Sequence, residues 1–184
     1  MVFSVRSPEF KSAYYHPFRR EVIEVNSKGF DTLYCENGEY ITPANLWLNH
    51  LVNVKKVKDS GAAVRAIKCY WKFLESNNLK WNEFPSHKSI KPTYLFRNQY
   101  LLKSAKSGLI KYSTASLYMN QIVQFYSWAI YERLIKIDEA SAPFEYEFIK
   151  ASSNQGSKFS SRICLPYRGY AENKCLKRIV RFSN

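Results

Sequence analysis

The chain has 184 residues, which is enough for one domain with an appendage or for two small domains, and it can bury a core. Its 28 Lys and Arg residues outnumber 15 Asp and Glu residues, and the net charge of +13 predicts a polyanionic partner. No segment has the roughly 18 to 20 consecutive apolar residues of a membrane span, so we expect a cytoplasmic protein with no membrane partner.

Residues 1–40 are predicted to form a small β element. The segments REVIEV at 20–25 and FDTLYC at 30–35 are short runs that alternate in polarity. The Asn, Gly and Ser residues of NSKG and ENGEY interrupt these runs, as turn residues do. We therefore expect two short strands in an N-terminal β-rich extension.

A helical period begins at Thr42. Thr42 is the expected N-cap of a first helix, and Pro43 takes its first helical position, where a missing N–H costs nothing. The residues that share its apolar stripe are Trp47, His50, Leu51 and Val54. We expect His50 to be a core or boundary residue rather than a metal ligand.

A second helix is predicted to begin after Asp59 or Ser60 and to end at Asn77 and Asn78. Its apolar stripe repeats at helical spacing through Val64, Ile67, Trp71 and Leu74. A stripe of this kind indicates the face that packs against a core.

A third helix is predicted between Pro92, near its start, and Gly108, whose left-handed backbone ends it. A fourth helix begins at the expected cap Ser113 and runs to about Ile135. Four helices joined by short connections predict a mainly α fold, a four-helix bundle over residues 41–137. The small β element precedes this bundle.

The helical period is lost after Pro143. Residues 151–184 contain seven Lys or Arg against one Glu, with many Ser, Gly and Asn residues. We expect residues 138–184 to form a basic linker followed by the first part of another structural unit.

The positive charge is concentrated in the predicted helical region. Residues 51–111 contain 13 Lys or Arg and three acidic residues. The main groups are Lys55, Lys56 and Lys58 before the second helix, Arg65, Lys68 and Lys72 on one side of it, and Lys103, Lys106 and Lys111 before the fourth helix. A solvated basic face explains any one group, whereas three groups around one bundle predict contacts with nucleic-acid phosphates.

The fourth predicted helix has an uncharged polar face, although solvent-facing helix stripes are usually charged. At 3.6 residues per turn, the polar face carries Ser113, Ser116, Asn120, Gln124 and Ser127. The apolar face carries Tyr118, Ile122, Phe125 and Ala129.

Uncharged donors and acceptors are suited to reading base edges in DNA. The carboxamides suited to this role are those of Asn120, Gln121 and Gln124. The hydroxyls that can reach phosphate, together with the free N–H groups of the first turn, are those of Ser113, Thr114 and Ser116. The alternative is that this face packs against another protein segment.

The sequence has no pattern of a catalytic or metal site. The cysteines are widely scattered, at Cys35, Cys69, Cys164 and Cys175. We therefore expect reduced, structurally minor thiols and no metal or other cofactor. No Gly-rich phosphate loop or nucleophile elbow occurs, so we expect neither a catalytic residue nor a small-molecule substrate.

Three segments carry a family resemblance: ANLWLNHL, AVRAIKCYWKFLESNNLKW and YSTASLYMNQIVQFYSWAIYERLI. Over residues 42–137 they resemble the core-binding domain of tyrosine recombinases, the phage integrase family. The positions that match the family pattern are Tyr70, Trp71, Phe73, Leu74, Ser113, Thr114, Phe125, Tyr126, Trp128 and Ala129. The Asn-Pro that usually follows the last helix is displaced here to Pro143.

The resemblance implies a SAM-like helical domain that grips double-stranded DNA at a core recombination site. Other recombinase protomers on DNA would be partners, in a bacterial or phage-infected cell. Residues 1–40 would be an arm module or a packing extension, and residues 138–184 would be the linker and the start of a truncated catalytic domain.

The family's catalytic Tyr, Arg, Lys and His set has no counterpart in this sequence. The one His-x-x-Arg, from His16 to Arg19, precedes the predicted bundle, whereas the family places this motif after it. We therefore expect a chain that binds DNA without cutting it. The alternative is a non-catalytic helical module that binds RNA or a protein partner.

Overall fold

The computed structural model describes residues 2–16, 18–137, 142–145, 161–162 and 179–180. The chain divides into two compact units, Met1–Lys72 and Phe73–Asn184. This division lies within the second helix, whereas the sequence predicts a boundary near residue 40. Most of the predicted linker at 138–184 lies outside the described residues.

The first unit begins with antiparallel strands. They are β1 (Phe3–Arg6), β2 (Phe10–His16), β3 (Glu21–Ser27) and β4 (Asp31–Tyr34). β1 pairs with β4, and β2 pairs with β3. The β2–β3 ladder is therefore nested inside the β1–β4 ladder, as in a single long hairpin.

The two ladders keep one register. The β1–β4 ladder ends at the pair Arg6 and Asp31, and spacers of equal length, 7–9 and 28–30, lead to the β2–β3 ladder. The strand pairing therefore continues without a shift from one ladder to the other. We call this hairpin, residues 3–34, the ribbon.

The sequence predicted two strands in this region, and the structure has four. REVIEV and FDTLYC contain β3 and β4, whereas β1 and β2 were missed. In the β2–β3 part, exposed apolar residues occur on both faces, such as Phe10 on one face and Tyr15 on the other. A clean alternation arises where one face of a sheet is buried, and here that condition is not met.

α1 spans Thr42–Asn49 and continues as a π-helical turn, His50–Val54. Its N-cap is Ile41, so the predicted cap, Thr42, is instead the first helical residue. The first three residues of the predicted stripe are buried or half-buried, but Val54 is 64% exposed. A π turn holds more residues than an α turn, and it therefore rotates the residues that follow away from the expected face.

α2 spans Gly61–Ser76. All four residues of its predicted stripe are buried: Val64, Ile67, Trp71 and Leu74. The Asp59 carboxylate accepts a hydrogen bond of 2.7 Å from the Gly61 N–H, as a residue at the start of a helix does. Asn78 has a left-handed backbone with φ 51°, which confirms the predicted end.

The second unit contains the remaining helices. α3 (Pro92–Leu95), a π-helical turn (Phe96–Leu101) and α4 (Leu102–Lys106) follow one another directly, and α5 spans Tyr112–Tyr131. The predicted third helix is therefore present with a π-helical interruption. Gly108 has the left-handed backbone expected at its end, with φ 76°.

The limits of α5 differ from the prediction. The helix begins at Tyr112 after the N-cap Lys111, so the predicted cap, Ser113, lies inside it. It ends at Tyr131, earlier than predicted, and Arg133 then has a left-handed backbone with φ 60°. Residues after that point cannot continue a right-handed helix.

Short elements complete the second unit. They are a 3-10 turn (Lys88–Ile90), β5 (Ser161–Arg162) and β6 (Ile179–Val180). β5 and β6 pair antiparallel, and β5 contacts α5.

A buried lysine anchors the described part of the predicted linker. The side chain of Lys91 is 2% exposed, and its Nζ donates to the Ala142 carbonyl at 2.8 Å. Oε1 of Glu145 lies 3.8 Å from the same ammonium, and the Thr93 hydroxyl donates to the Pro143 carbonyl. Residues 142–145 are therefore fixed to the second unit by charge and by hydrogen bonds.

Two asparagines attach the ribbon to α1. The Leu33 N–H donates to Oδ1 of buried Asn45 at 2.7 Å, and Nδ2 of Asn45 donates to the Leu33 carbonyl at 2.9 Å. Asn53 binds Lys28 in the same two-bond manner, at 2.8 and 3.2 Å, and also donates to Asn49 at 2.8 Å. The Leu33 carbonyl also accepts from the Ile41 N–H at 3.1 Å. Each carboxamide thus satisfies peptide groups on this edge of the ribbon as a partner strand would.

The described chain is mixed, about 49% helical with a small two-sheet β element, so the predicted mainly α fold is only roughly matched. All four predicted helical segments are present, but the β part is larger than predicted. Within the described ranges, no helix has both the length and the apolar character needed to cross a membrane.

Substituting Asn45→Ala is expected to lower the free energy of unfolding by about 2 kcal/mol. The reason is that a buried N–H of Leu33 is left without an acceptor, which costs roughly 1 to 3 kcal/mol. Asn26→Ala, at an exposed position of β3, is the control and should change stability by less than about 0.5 kcal/mol. Urea unfolding measures both, and equal effects would show that the Asn45 bonds do not hold the ribbon.

Candidate nucleic-acid interface

The three predicted basic residues of α2 lie on one side of the helix. Arg65 is exposed, while Lys68 and Lys72 are half-buried. Nζ of Lys68 lies 3.5 Å from the hydroxyl of Ser4 on β1, so its stem crosses toward the ribbon. A half-buried lysine whose ammonium is already held near a hydroxyl has less side-chain freedom to lose when it binds an anion.

The loop before α2 carries three exposed lysines, Lys55, Lys56 and Lys58. Backbone hydrogen bonds of 2.9 Å fix its shape, from the Lys55 N–H to the His50 carbonyl and from the Val57 N–H to the Leu51 carbonyl. Lys56 has a left-handed backbone with φ 54°. The loop therefore holds its lysines in a defined turn, because both hydrogen bonds end on carbonyls of the π-helical turn.

The predicted basic residues have no carboxylate partner in the part of the chain that the structure describes. Ion pairs there include those of Arg6 with Asp31, Arg19 with Glu21, Lys80 with Glu83 and Lys91 with Glu145. None of these pairs includes a residue of the loop before α2, of the basic side of α2, or of the segment before α5. Their charge is available to an external anion.

The second unit carries its own basic group. Lys103 and Lys106 lie on α4, Lys111 is the N-cap of α5, and all three are exposed. Among the described residues, Lys111 makes no side-chain cap bond to α5, and the first turn contains no acidic residue. The hydroxyl of exposed Ser113 lies beside this lysine at a helix start, the arrangement of phosphate-binding helix starts.

The uncharged face of α5 divides into exposed and covered positions. Gln124 is exposed, whereas Gln121, Thr114 and Ser116 are half-buried. The Ser127 hydroxyl donates at 2.7 Å to the carbonyl four residues earlier and is used within the helix. Of the predicted base-reading residues, Gln124 is thus the most accessible.

Asn120 is half-buried, and its Oδ1 is shielded from solvent. In the described part of the chain, this oxygen accepts no hydrogen bond. A buried carbonyl oxygen without a donor is unfavourable. The structure thus gives Asn120 and Gln124 different surroundings, although the sequence placed them on one face.

The buried face of α5 differs in part from the prediction. Ile122, Phe125 and Ala129 are buried as predicted, but Tyr118 is only half-buried. The additional buried residues are Ala115, Met119, Val123 and Tyr126. The hydroxyl of Tyr126 donates to the Trp81 carbonyl at 2.6 Å, a bond to a loop that helical periodicity does not show.

The polar residues that matter most to the first unit were not predicted from the sequence. Asn45, Asn49 and Asn53 recur every four residues, a spacing that places them on one side of a helix. That spacing was the available indication. Their pairing with peptide groups of the ribbon became visible only in the structure.

No metal site is formed within the described ranges, where no three potential ligands among His, Cys, Asp and Glu come together. Cys35 and Cys69 are half-buried, and no disulfide joins them. Cys164 and Cys175 lie outside the described residues, so for these two the reduced thiol stays a prediction from the sequence.

Comparison with known proteins gives no relative. No family model, no curated protein and no solved structure matches this chain. Function must therefore be argued from the residues and their geometry.

Substituting Asn120→Ala is expected to raise the free energy of unfolding by about 0.5 to 1 kcal/mol. Alanine is the better helix former, and the substitution removes a shielded oxygen without a donor. The matched variant Gln124→Ala, at an exposed position, should change stability by less than about 0.5 kcal/mol. Thermal or urea unfolding tests both, and a loss of stability in Asn120→Ala would show that the carboxamide has a stabilising partner.

Proposed function

We propose that this chain binds double-stranded DNA, and that it is the core-binding portion of a site-specific tyrosine recombinase. The observation that supports DNA binding is that each of the two units presents a group of lysines or arginines without carboxylate partners in the described chain. Such groups attract phosphate and repel one another, so a polyanion stabilises them.

In the first unit, the proposed contacts are sequence-independent. The loop lysines and the basic side of α2 grip phosphates, because ammonium and guanidinium groups supply most of the non-specific affinity for a duplex. The fixed loop and the half-buried side chain of Lys68 favour this role. Contacts of this type position a protein on DNA and carry no sequence information.

In the second unit, α5 combines both kinds of contact. Lys111, Ser113 and the N–H groups of the first turn bind phosphate at the start of the helix. Gln124 lies three turns further along, exposed and uncharged, and can pair with the edge of an adenine if α5 enters the major groove. Asn120 and Gln121 are half-buried, so their contact with a base requires their side chains to turn outward.

The recombinase part of the proposal is based on the resemblance of three helical segments. Most of its matching residues, such as Tyr70, Trp71, Phe125 and Tyr126, are buried and have packing roles. They support a helical module rather than a catalytic centre. In this proposal the chain grips a core recombination site, other protomers bind the same DNA, and strand cleavage belongs to a further domain.

Replacing Arg65, Lys68 and Lys72 together with Ala should weaken binding to all duplexes alike. The slope of log affinity against log salt should fall by about 0.9 for each lost phosphate contact. Fluorescence anisotropy with a random-sequence duplex at several salt concentrations measures this slope.

The matched control removes three charges that already have carboxylate partners. Arg6, Arg19 and Lys80 lie 3.3, 3.7 and 2.7 Å from their carboxylates, and their replacement with Ala should leave the slope nearly unchanged. Equal slopes in the two triple variants would show that net charge alone acts. Tighter binding to single strands than to duplex would instead favour the RNA-binding alternative, and no nucleic-acid binding at all would favour a protein partner.

Gln124→Ala is expected to reduce sequence preference while leaving non-specific binding intact. On a site selected from random duplexes, the loss should be about 1 to 3 kcal/mol, the range of one bidentate base contact. Binding to scrambled duplex should change little. Gln99→Ala, an exposed glutamine of the second unit, is the control. Equal losses on selected and scrambled DNA would show that Gln124 contacts only the backbone.

A further inference from the structure

The β2–β3 part of the ribbon has one face with nothing packed on it in the described chain. The register places six residues on that face, and all six are exposed: Lys11, Ala13, Tyr15, Val22, Glu24 and Asn26. Tyr15 and Val22 oppose each other and are 60% and 66% exposed. A two-stranded ribbon is marginally stable by itself, and further strands stabilise it.

The edges of the ribbon are not equivalent. On the β3–β4 side, Asn53 and Asn45 occupy the peptide groups of Lys28 and Leu33. β3 itself carries two carboxylates, and charged residues on an edge strand oppose the addition of another strand. The outer edge of β2 has no strand partner within the described ranges, and Lys11 is its one Lys, Arg, Asp or Glu residue.

We propose that two copies of this chain associate through β2. Two β2 strands, antiparallel about Ala13, would extend the two ribbons into one four-stranded sheet. Each Ala13 then opposes the Ala13 of the second copy, and each Lys11 opposes a Tyr15. No like charges face each other in this register.

Other pairings of the same ribbons are less favourable. Two β3 strands antiparallel about Glu24 would place two carboxylates directly opposite each other, which is destabilising. Pairing β2 of one copy with β3 of the next is a head-to-tail contact, so it would build an open chain of copies rather than a closed pair. The β2 pairing is closed by a two-fold axis, and it leaves the carboxylate-bearing β3 strands on the outside.

Sedimentation equilibrium without DNA tests the proposal, so its outcome is independent of DNA binding. The expected result is a concentration-dependent dimer. Ala13→Lys should raise the dimer dissociation constant by about tenfold or more, because two ammonium groups would then face each other. Within one ribbon the same lysine faces Glu24, so the hairpin is retained.

Cysteine cross-linking provides a second measurement that does not depend on these charged variants. Directly opposed residues have Cβ atoms close enough for a disulfide, so Ala13→Cys should form a covalent dimer on oxidation. Glu24→Cys, on the same face but one strand further out, is the control and should not exceed the wild-type background. A wild-type chain that stays monomeric at all concentrations, or an Ala13→Lys variant that dimerises as tightly as wild type, would overturn the proposal.

Discussion

The pairing of Asn45 with the Leu33 peptide is the interaction on which the first unit depends. Both polar atoms of a fully buried carboxamide are satisfied, and the strand edge that they occupy loses its exposed donor and acceptor. The contact fixes β4 against α1. Since β4 pairs with β1, the same contact sets the position of the β1–β4 part of the ribbon. A separate contact, from Asn53 to Lys28, fixes the spacer between β3 and β4.

Charge distribution adds a second constraint. In the described chain, the proposed DNA-contacting lysines and arginines lack carboxylate partners, and crowding of like charge lowers stability. The chain offsets this cost with apolar packing beneath the basic side of α2, where Ile67 and Tyr70 are fully buried. Because the apolar face of α2 holds this helix in place, its cationic face can remain without carboxylate partners.

The accuracy of the sequence predictions differed between elements, because the elements lie in different surroundings. The stripe of α2 was predicted correctly because a single helical face packs on a core and the period stays constant. Val54 was placed wrongly because a π-helical turn changes that period. β2 was missed because the ribbon is exposed on both faces there. Asn120 and Gln124 share a side of α5 in sequence, yet tertiary contacts shield only one of them.

The equal lengths of the two ribbon spacers limit how this chain can vary by insertion and deletion. One residue added to 7–9 alone would put the β2–β3 ladder out of register with the β1–β4 ladder, because the two spacers would no longer match in length. A matching residue added to 28–30 would restore the register, although the Asn53 contact with Lys28 would then need a new geometry. Length changes in related sequences should therefore occur in both spacers together or in the turn that joins β2 to β3.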